Sequence, residues 1–139
     1  MPQLHRSAAA LRIGGDTLVP EEISKHLGAA PTYCRVKGET WHDENTEREY
    51  VARTGQWQLD AADRQPEDVD GQVAEILSKL TDDLEIWRYL ARNFEIDLFC
   101  GWFKEGSDEG LSISPKTMAA LAERGIELDI CIYGPPIKP

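Results

Sequence analysis

The clearest hydrophobic pattern is a stripe through the centre of the chain. Apolar residues recur at steps of three and four from Val69 to Ala91, which is typical of an amphipathic helix that packs on one side. Thr81-Asp82-Asp83 interrupts this stripe, and these residue types favour the start of a new helix. The pattern therefore predicts two consecutive helices, over 69–80 and 82–92.

Two shorter segments each carry a helix start and a helix stop. Pro20 and Pro115 suit a first helical turn, where the missing N–H of proline would be unpaired in any case. Gly28 and Gly125 follow at the distance of a short helix and favour its termination. We expect one helix from Pro20 to Gly28 and another from Pro115 to Arg124.

Alternation of apolar and polar residues predicts the strands. They are expected over 8–13, 33–37, 50–53, 56–59, 95–104, 111–113 and 126–133. The strand over 95–104 has large apolar residues on both faces, which indicates a central position in the sheet. The charged stretch from Gly38 to Arg48 is interpreted as a loop or hairpin tip.

These elements predict the fold class α+β, with all 139 residues in one domain. The expected architecture is a two-layer sandwich of a mostly antiparallel or mixed sheet, with helices packed on one face. Leu11 and Ile13 before the first proline-led helix resemble Leu111 and Ile113 before the last one, so a loose duplication of a strand-helix-strand unit is possible. Residues 134–139 are expected to form an extended tail.

The net charge is −10, and it is unevenly distributed. Residues 1–57 carry a net charge of −1 and residues 58–139 a net charge of −9. Because phosphate groups are bound by lysine and arginine, this balance argues against nucleic acid and anionic membranes as partners. It favours a basic protein as the partner.

The cysteines and the first residues indicate a cytoplasmic protein. Cys34, Cys100 and Cys131 have no CxxC spacing and leave one unpaired, which fits a reducing compartment. Arg12 interrupts the short apolar run after the N-terminus, so no signal-peptide core is expected. No window of the chain approaches the ~20 apolar residues of a membrane-spanning helix.

No catalytic, cofactor-binding or metal site is predicted. His26 lies one turn after Glu22 and could form a general base with it, but a surface ion pair is far more common at this spacing. His42 lacks a second cluster with metal-ligand spacing. Cys34 precedes Arg35, but neighbours on a strand point to opposite faces, so activation of the thiol is not expected.

The tryptophans suggest a recognition surface. Three of the four fall on apolar stripes and are predicted to pack in the core: Trp57, Trp87 and Trp102. Trp41 stands among charged residues, where exposed aromatic and arginine side chains often anchor interfaces. We therefore name Tyr33, Arg35, Lys37 and Trp41 as the candidate recognition surface. The alternative is that Trp41 folds back over the edge of the sheet as a lid.

Several short motifs resemble a bacterial family of domains of unknown function, domain of unknown function 4279. The matching motifs are Leu18-Val19-Pro20-Glu21-Glu22-Ile23, Lys37-Gly38-Glu39, Thr54-Gly55-Gln56-Trp57-Gln58-Leu59 and Gly125-Ile126-Glu127-Leu128-Asp129-Ile130-Cys131-Ile132-Tyr133. The resemblance spans nearly the whole chain and implies a small α+β domain. It supplies no catalytic residues.

Function is therefore expected from the surface of the domain. A non-enzymatic protein-interaction module in the bacterial cytosol agrees best with the size and charge of the chain. One alternative is an enzyme or small-ligand-binding protein with a pocket between sheet and helices. The other is a self-associating structural domain, in which a long strand at a sheet edge pairs into a homodimer.

Overall fold

The computed structural model describes residues 2–135, so the last four residues of the expected tail, 136–139, lie outside the described part. The described residues fold into strands and helices in an α+β arrangement. Their bounds are β1 (Arg6–Gly15), α1 (Pro20–Leu27), β2 (Tyr33–Arg35), β3 (Thr40–Asp43), β4 (Arg48–Val51), β5 (Gly55–Asp60), α2 (Val69–Ser78), α3 (Leu84–Asn93), β6 (Glu95–Phe103), α4 (Pro115–Glu123) and β7 (Glu127–Tyr133).

The main sheet has five strands in the order β2-β5-β1-β6-β7. Strands β6 and β7 are parallel, and the other neighbouring pairs are antiparallel. Strands β3 and β4 form a separate two-stranded antiparallel hairpin. The predicted mixed sheet and the interior position of the strand over 95–103 are confirmed.

The helices cover one face of this sheet. Leu11 and Ile13 of β1 are fully buried in one core cluster to which every helix contributes. The helical members of this cluster include Ile23, Val73, Trp87 and Leu121. Because side chains alternate along a strand, Arg12 points to the opposite side. We call that opposite side the open face.

The predicted core tryptophans pack as expected. Trp57 and Trp87 are completely buried, and Trp102 packs against the same cluster while partly accessible. The indole N–H of Trp57 donates to Ser24 Oγ at 3.0 Å, and that of Trp87 donates to the Thr81 carbonyl oxygen at 2.8 Å. Helices α1 and α3 are thus fixed by hydrogen bonds as well as by apolar contact. The buried indole N–H of Trp102 has no hydrogen-bond partner within residues 2–135.

A buried polar pair connects β1 to α2. Ser7 and Gln72 are both inaccessible to solvent. The Ser7 hydroxyl donates to Gln72 Oε1 at 2.7 Å, and Gln72 Nε2 donates to the carbonyl oxygens of Ser7 and Ala62 at 2.9 and 3.0 Å. Buried polar groups are costly unless they are hydrogen-bonded, and here both amide hydrogens have acceptors.

One predicted strand is wrong, and the predicted loop or hairpin tip over 38–48 is confirmed only for the hairpin tip, residues 44–47. Residues 111–113 form no strand, because Leu111 packs against the core as irregular chain and only Gly110 makes an isolated bridge, to Gln3. The charged stretch 38–48 is not a loop throughout, because Trp41 lies on β3 and pairs with Tyr50 of β4. Backbone pairing in the hairpin outweighs the low strand propensity of its charged residues.

Because residues 111–113 form no strand, the second of the two expected strand-helix-strand units has different bounds. Helix α1 connects β1 to β2, and α4 connects β6 to β7. In both units the two strands run parallel, but β5 lies between the first pair whereas β6 and β7 are direct neighbours. The second unit thus begins at β6 and not at the apolar pair Leu111 and Ile113.

Candidate functional site

Planar side chains stack where the hairpin meets the main sheet. The guanidinium carbon of Arg35 lies 3.4 Å from the ring centroid of Trp41 and 5.0 Å from that of Tyr33. The ring of Trp41 in turn stacks on Tyr50, with centroids 5.3 Å apart and planes inclined by 21°. We call Tyr33, Arg35, Trp41 and Tyr50 the aromatic stack.

Strand register places these groups on one side. Tyr33 and Arg35 of β2 pair with Gln58 and Gln56 of β5, whereas Cys34 between them pairs with the buried Trp57. Tyr33 and Arg35 therefore lie on the open face. Arg35 Nε also donates a hydrogen bond to the Tyr33 hydroxyl oxygen. The stack joins the hairpin to the sheet and leaves 37% of Tyr33 exposed.

Three members of the sequence-predicted recognition surface come together in this stack, and the fourth does not. Tyr33, Arg35 and Trp41 are in mutual contact through the Arg35 guanidinium. The Lys37 ammonium instead lies 3.0 Å from the Asp16 carboxylate. That hydrogen bond is the largest cause of the lowered pKa of Asp16. Trp41 is partly accessible, so it is not enclosed as a core residue.

A groove of about 600 Å³ lies beside the stack, at the end of the sheet where β1 ends and β5, β6 and β7 begin. Its lining includes, on the open face, Arg12, Gly14, Gln56, Glu95, Asp97 and Glu127. We call it the Gly14 groove. A smaller cleft that contains the aromatic stack shares Thr54 and Gln56 with it. The stack and the groove are therefore neighbours on one continuous surface.

Gly14 forms the floor of this groove. It pairs with Gln56 on one side and with Glu95 on the other, so it separates two long polar side chains. A Cβ atom on Gly14 would lie 3.6 Å from the Gly55 carbonyl oxygen, which is an ordinary contact. Packing therefore does not require glycine here, and a side chain at this position would fill the groove.

Negative charge dominates the lining of the groove. Arg12 donates two hydrogen bonds to Asp97, at 2.8 and 2.6 Å, and lies 3.3 Å from Asp129. The Asp97 hydrogen bond is the largest cause of the raised pKa of Arg12. Within residues 2–135, Glu95 and Glu127 have no cation at salt-bridge distance. Two carboxylates of the groove are thus uncompensated.

Comparison with known families agrees with the motifs identified in the sequence. The family model described as "Domain of unknown function (DUF4279)" matches residues 3–135, which is nearly the whole chain. The chain belongs to the DUF4279 family. No curated protein and no solved structure matches this DUF4279 chain.

The histidines and Cys34 of this DUF4279 domain lie apart from the groove. The exposed ring of His26 packs on Tyr89 of α3, with ring centroids 5.3 Å apart. His42 lies opposite Glu49 in the hairpin, and Cys34 is a free, exposed thiol. In the described part of the chain, no three His, Cys, Asp or Glu residues are arranged to hold a metal ion.

The length and polarity of the helices decide whether any of them could cross a membrane. Each helix within residues 2–135 is too short or too polar to cross a bilayer.

The groove of this DUF4279 domain is not predicted from the sequence, because the first strand is expected to end at Ile13, before Gly14. Strand β1 in fact continues through Gly15. Gly15 is required by close packing, since a Cβ atom there would lie 2.7 Å from Phe94 Cδ1. Glycine inside a strand pattern often marks such an approach or a site left open for a ligand, and this signal could have identified the position.

Proposed function

We infer that this DUF4279 domain is a non-enzymatic protein-interaction module that binds a basic segment of another protein in the Gly14 groove. The proposed setting is the cytosol of a bacterium. The free state of Cys34, Cys100 and Cys131 is consistent with a reducing compartment.

The observation that carries this proposal is the uncompensated charge of Glu95 and Glu127. Both residues line a concave surface, and neither has a salt-bridge partner among residues 2–135. A lysine or arginine side chain entering the groove would supply the missing positive charge. The net charge of −10 would also accelerate encounter with a basic protein, because complementary fields steer association.

The aromatic stack supports the same surface. Aromatic and arginine side chains are enriched at protein interfaces because they offer large, stiff contact areas with polar ends. Here Tyr33 is partly exposed beside Arg35, at the border of the groove. A basic segment seated on Glu95 and Glu127 could extend across Gln56 to reach the stack.

A small-molecule site is the second candidate, and the groove volume favours it. About 600 Å³ lies within the usual range of roughly 300–1,000 Å³ for ligand pockets. Such pockets are mostly apolar, whereas this lining contains Glu95, Asp97 and Glu127. A ligand here would therefore be a small organic cation. Saturable thermal stabilisation by such a cation, lost in Gly14→Val, would support this candidate.

The protein-interaction proposal is tested with matched charge variants. Tagged protein is incubated with native-host extract at low salt, washed, eluted at high salt and analysed by mass spectrometry. The groove variant combines Glu95→Gln and Glu127→Gln, and the control combines Asp82→Asn and Asp108→Asn. Asp82 and Asp108 are exposed and lie outside the groove lining, so both variants lose the same net charge.

We expect a protein with a basic surface to be retained by the wild type and by the control, and to be lost from the groove variant. Equal retention by both variants would contradict the assignment of binding to the groove. Equal loss from both would show that binding follows net charge alone, which also contradicts a specific site.

A further inference from the structure

Strand β7 is an unpaired edge of the main sheet. It pairs with β6 on one side, and no strand within residues 2–135 lies on the other. Ile130, Ile132 and Tyr133 are 37%, 61% and 42% exposed, respectively. An edge strand with exposed apolar residues is a template for pairing with another strand. Its seven residues contain no proline or lysine, which commonly protect such edges.

The backbone direction shows which groups of β7 are free. Lys104 N–H donates to the Tyr133 carbonyl oxygen at 2.9 Å, so the polar backbone groups of Tyr133 point towards β6. Because these groups alternate along a strand, those of Leu128, Ile130 and Ile132 point away from the sheet. The residues with free backbone groups are thus the same residues whose apolar side chains lie on the helical face of β7.

The opposite edge of the sheet, formed by β2, offers a much shorter length for pairing with another strand. Strand β2 has only three residues, Tyr33 to Arg35. Pro31, two residues before it, has no N–H to donate. Arg35 is also held in the aromatic stack. Strand β7 is therefore the edge at which a further strand can pair over a useful length.

We propose that β7 pairs antiparallel with β7 of a second copy of this chain, about a two-fold axis at Ile130. Each Leu128 would then lie opposite Ile132 of the other copy, and Ile130 opposite its own counterpart. The outward N–H and C=O groups of these three residues would form about six backbone hydrogen bonds. The two sheets would join into one continuous sheet with the helices of both copies on the same side.

The sequence of β7 favours a second copy as the occupant, because its apolar pattern is symmetric about Ile130. In this register Glu127 lies opposite Tyr133, and Asp129 opposite Cys131, so no two carboxylates face each other. Moving the axis to Asp129 would place the two Asp129 carboxylates directly opposite, which is destabilising. The register about Ile130 also pairs every residue of the strand.

Salt distinguishes this dimer from the proposed basic partner. Each copy carries a net charge of −10, so the two copies repel each other at low ionic strength. Screening weakens that repulsion, and we expect the dimer to become tighter as salt rises. Binding of a basic segment to Glu95 and Glu127 would become weaker under the same change. The salt dependence therefore tests the β7 dimer and the binding of a basic segment separately, and one can be observed without the other.

The first test is sedimentation equilibrium over a range of protein concentrations, at low and high salt. Ile130→Pro removes only an outward N–H, which an edge strand tolerates, and Ile132→Lys places a charge on the exposed edge. Val51→Lys is the control, since Val51 is 60% exposed on the separate hairpin. We expect a wild-type dimer that both β7 variants weaken about tenfold or more and that the control preserves.

The second test determines which residues of the two β7 strands lie opposite each other. In a Cys34→Ser, Cys131→Ser background, Ile130→Cys would place one thiol opposite its counterpart, at a separation that permits a disulfide. We expect mild oxidation to give a covalent dimer with Ile130→Cys and not with Glu127→Cys in the same background. A monomer at all concentrations, or a dimer unaffected by Ile130→Pro and Ile132→Lys, would overturn the proposal.

Discussion

The guanidinium carbon of Arg35, on the main sheet, lies over the indole ring of Trp41, on the separate hairpin, at 3.4 Å from the ring centroid. No strand of the hairpin is hydrogen-bonded into the five-stranded sheet. The backbone hydrogen bonds of Gly38 and Ala52 join the two arms of the hairpin to each other, so the contact between Arg35 and Trp41 links the hairpin to the main sheet. The aromatic stack is thus a structural joint as well as a surface.

Removal of the Trp41 ring should loosen the hairpin and leave the sheet intact. A cation–π contact at an accessible site contributes about 0.5–1 kcal/mol. We expect Trp41→Ala to accelerate hydrogen exchange of hairpin amides over 40–51 by up to about fivefold, with little change in β1 or β6. Lys37→Ala is the control, because Lys37 lies outside the stack. Unchanged exchange in Trp41→Ala would show that the stack does not hold the hairpin.

Gly14 near the end of β1 and Gly55 at the start of β5 should respond differently to substitution by alanine. A Cβ atom on Gly55 would lie 2.8 Å from the Gly15 carbonyl oxygen, whereas one on Gly14 has only an ordinary contact. Urea unfolding should show Gly55→Ala destabilised by about 2 kcal/mol or more. Gly14→Ala should change stability by less than about 0.5 kcal/mol or increase it. Similar losses in both would contradict an open groove floor.

Acid sensitivity should depend in part on Glu75. Hydrogen bonds from the Ala62 N–H and then from Arg64 lower the pKa of its carboxyl. A carboxyl with a lowered folded-state pKa stabilises the fold above its unfolded pKa of about 4.3, and this contribution is lost as pH falls. We expect Glu75→Gln to be less stable at pH 7 and to lose less stability below about pH 4. Parallel pH profiles for variant and wild type would contradict this role.

Alkaline sensitivity should depend on Cys100. Burial, followed by the charge of Asp97, raises the pKa of this thiol to about 11. The thiolate is therefore disfavoured in the folded state, and stability is lost as pH rises above the unfolded value of about 8.5–9. We expect a loss of roughly 2 kcal/mol between pH 9 and 11 that is absent in Cys100→Ala. An identical alkaline slope in both proteins would exclude Cys100 as its source.

The sequence predicts most elements but not the surface that they form. The stripe from Val69 to Ala91 and the proline and glycine signals of α1 and α4 are local, so they identify these helices directly. The sequence predicts a loop or hairpin tip around Trp41, because the charged residues beside it have low strand propensity and the pairing of Trp41 with Tyr50 is not visible in the local pattern. At Leu111 the error is the reverse, because a strand is predicted where the chain is irregular. An apolar residue can pack against a core without belonging to a strand.

The groove and the free edge depend on strand order, which local patterns do not contain. Gly14 becomes a groove floor only because β5 and β6 bring Gln56 and Glu95 to either side of it. Strand β7 becomes an edge only because α4 returns it to the outer side of β6. Neither fact follows from the alternation that predicts the strands themselves.

Nuclear magnetic resonance can test directly whether Glu95 and Glu127 form a specific site for basic groups. Isotope-labelled protein is titrated with a short lysine- and arginine-rich peptide at low and moderate salt. We expect saturable chemical-shift changes concentrated at Gly14, Thr54, Glu95 and Glu127. Salt should weaken them, and Gly14→Val or the combination of Glu95→Gln with Glu127→Gln should abolish them. Shifts spread over the acidic surface, or unchanged in those variants, would contradict a specific site.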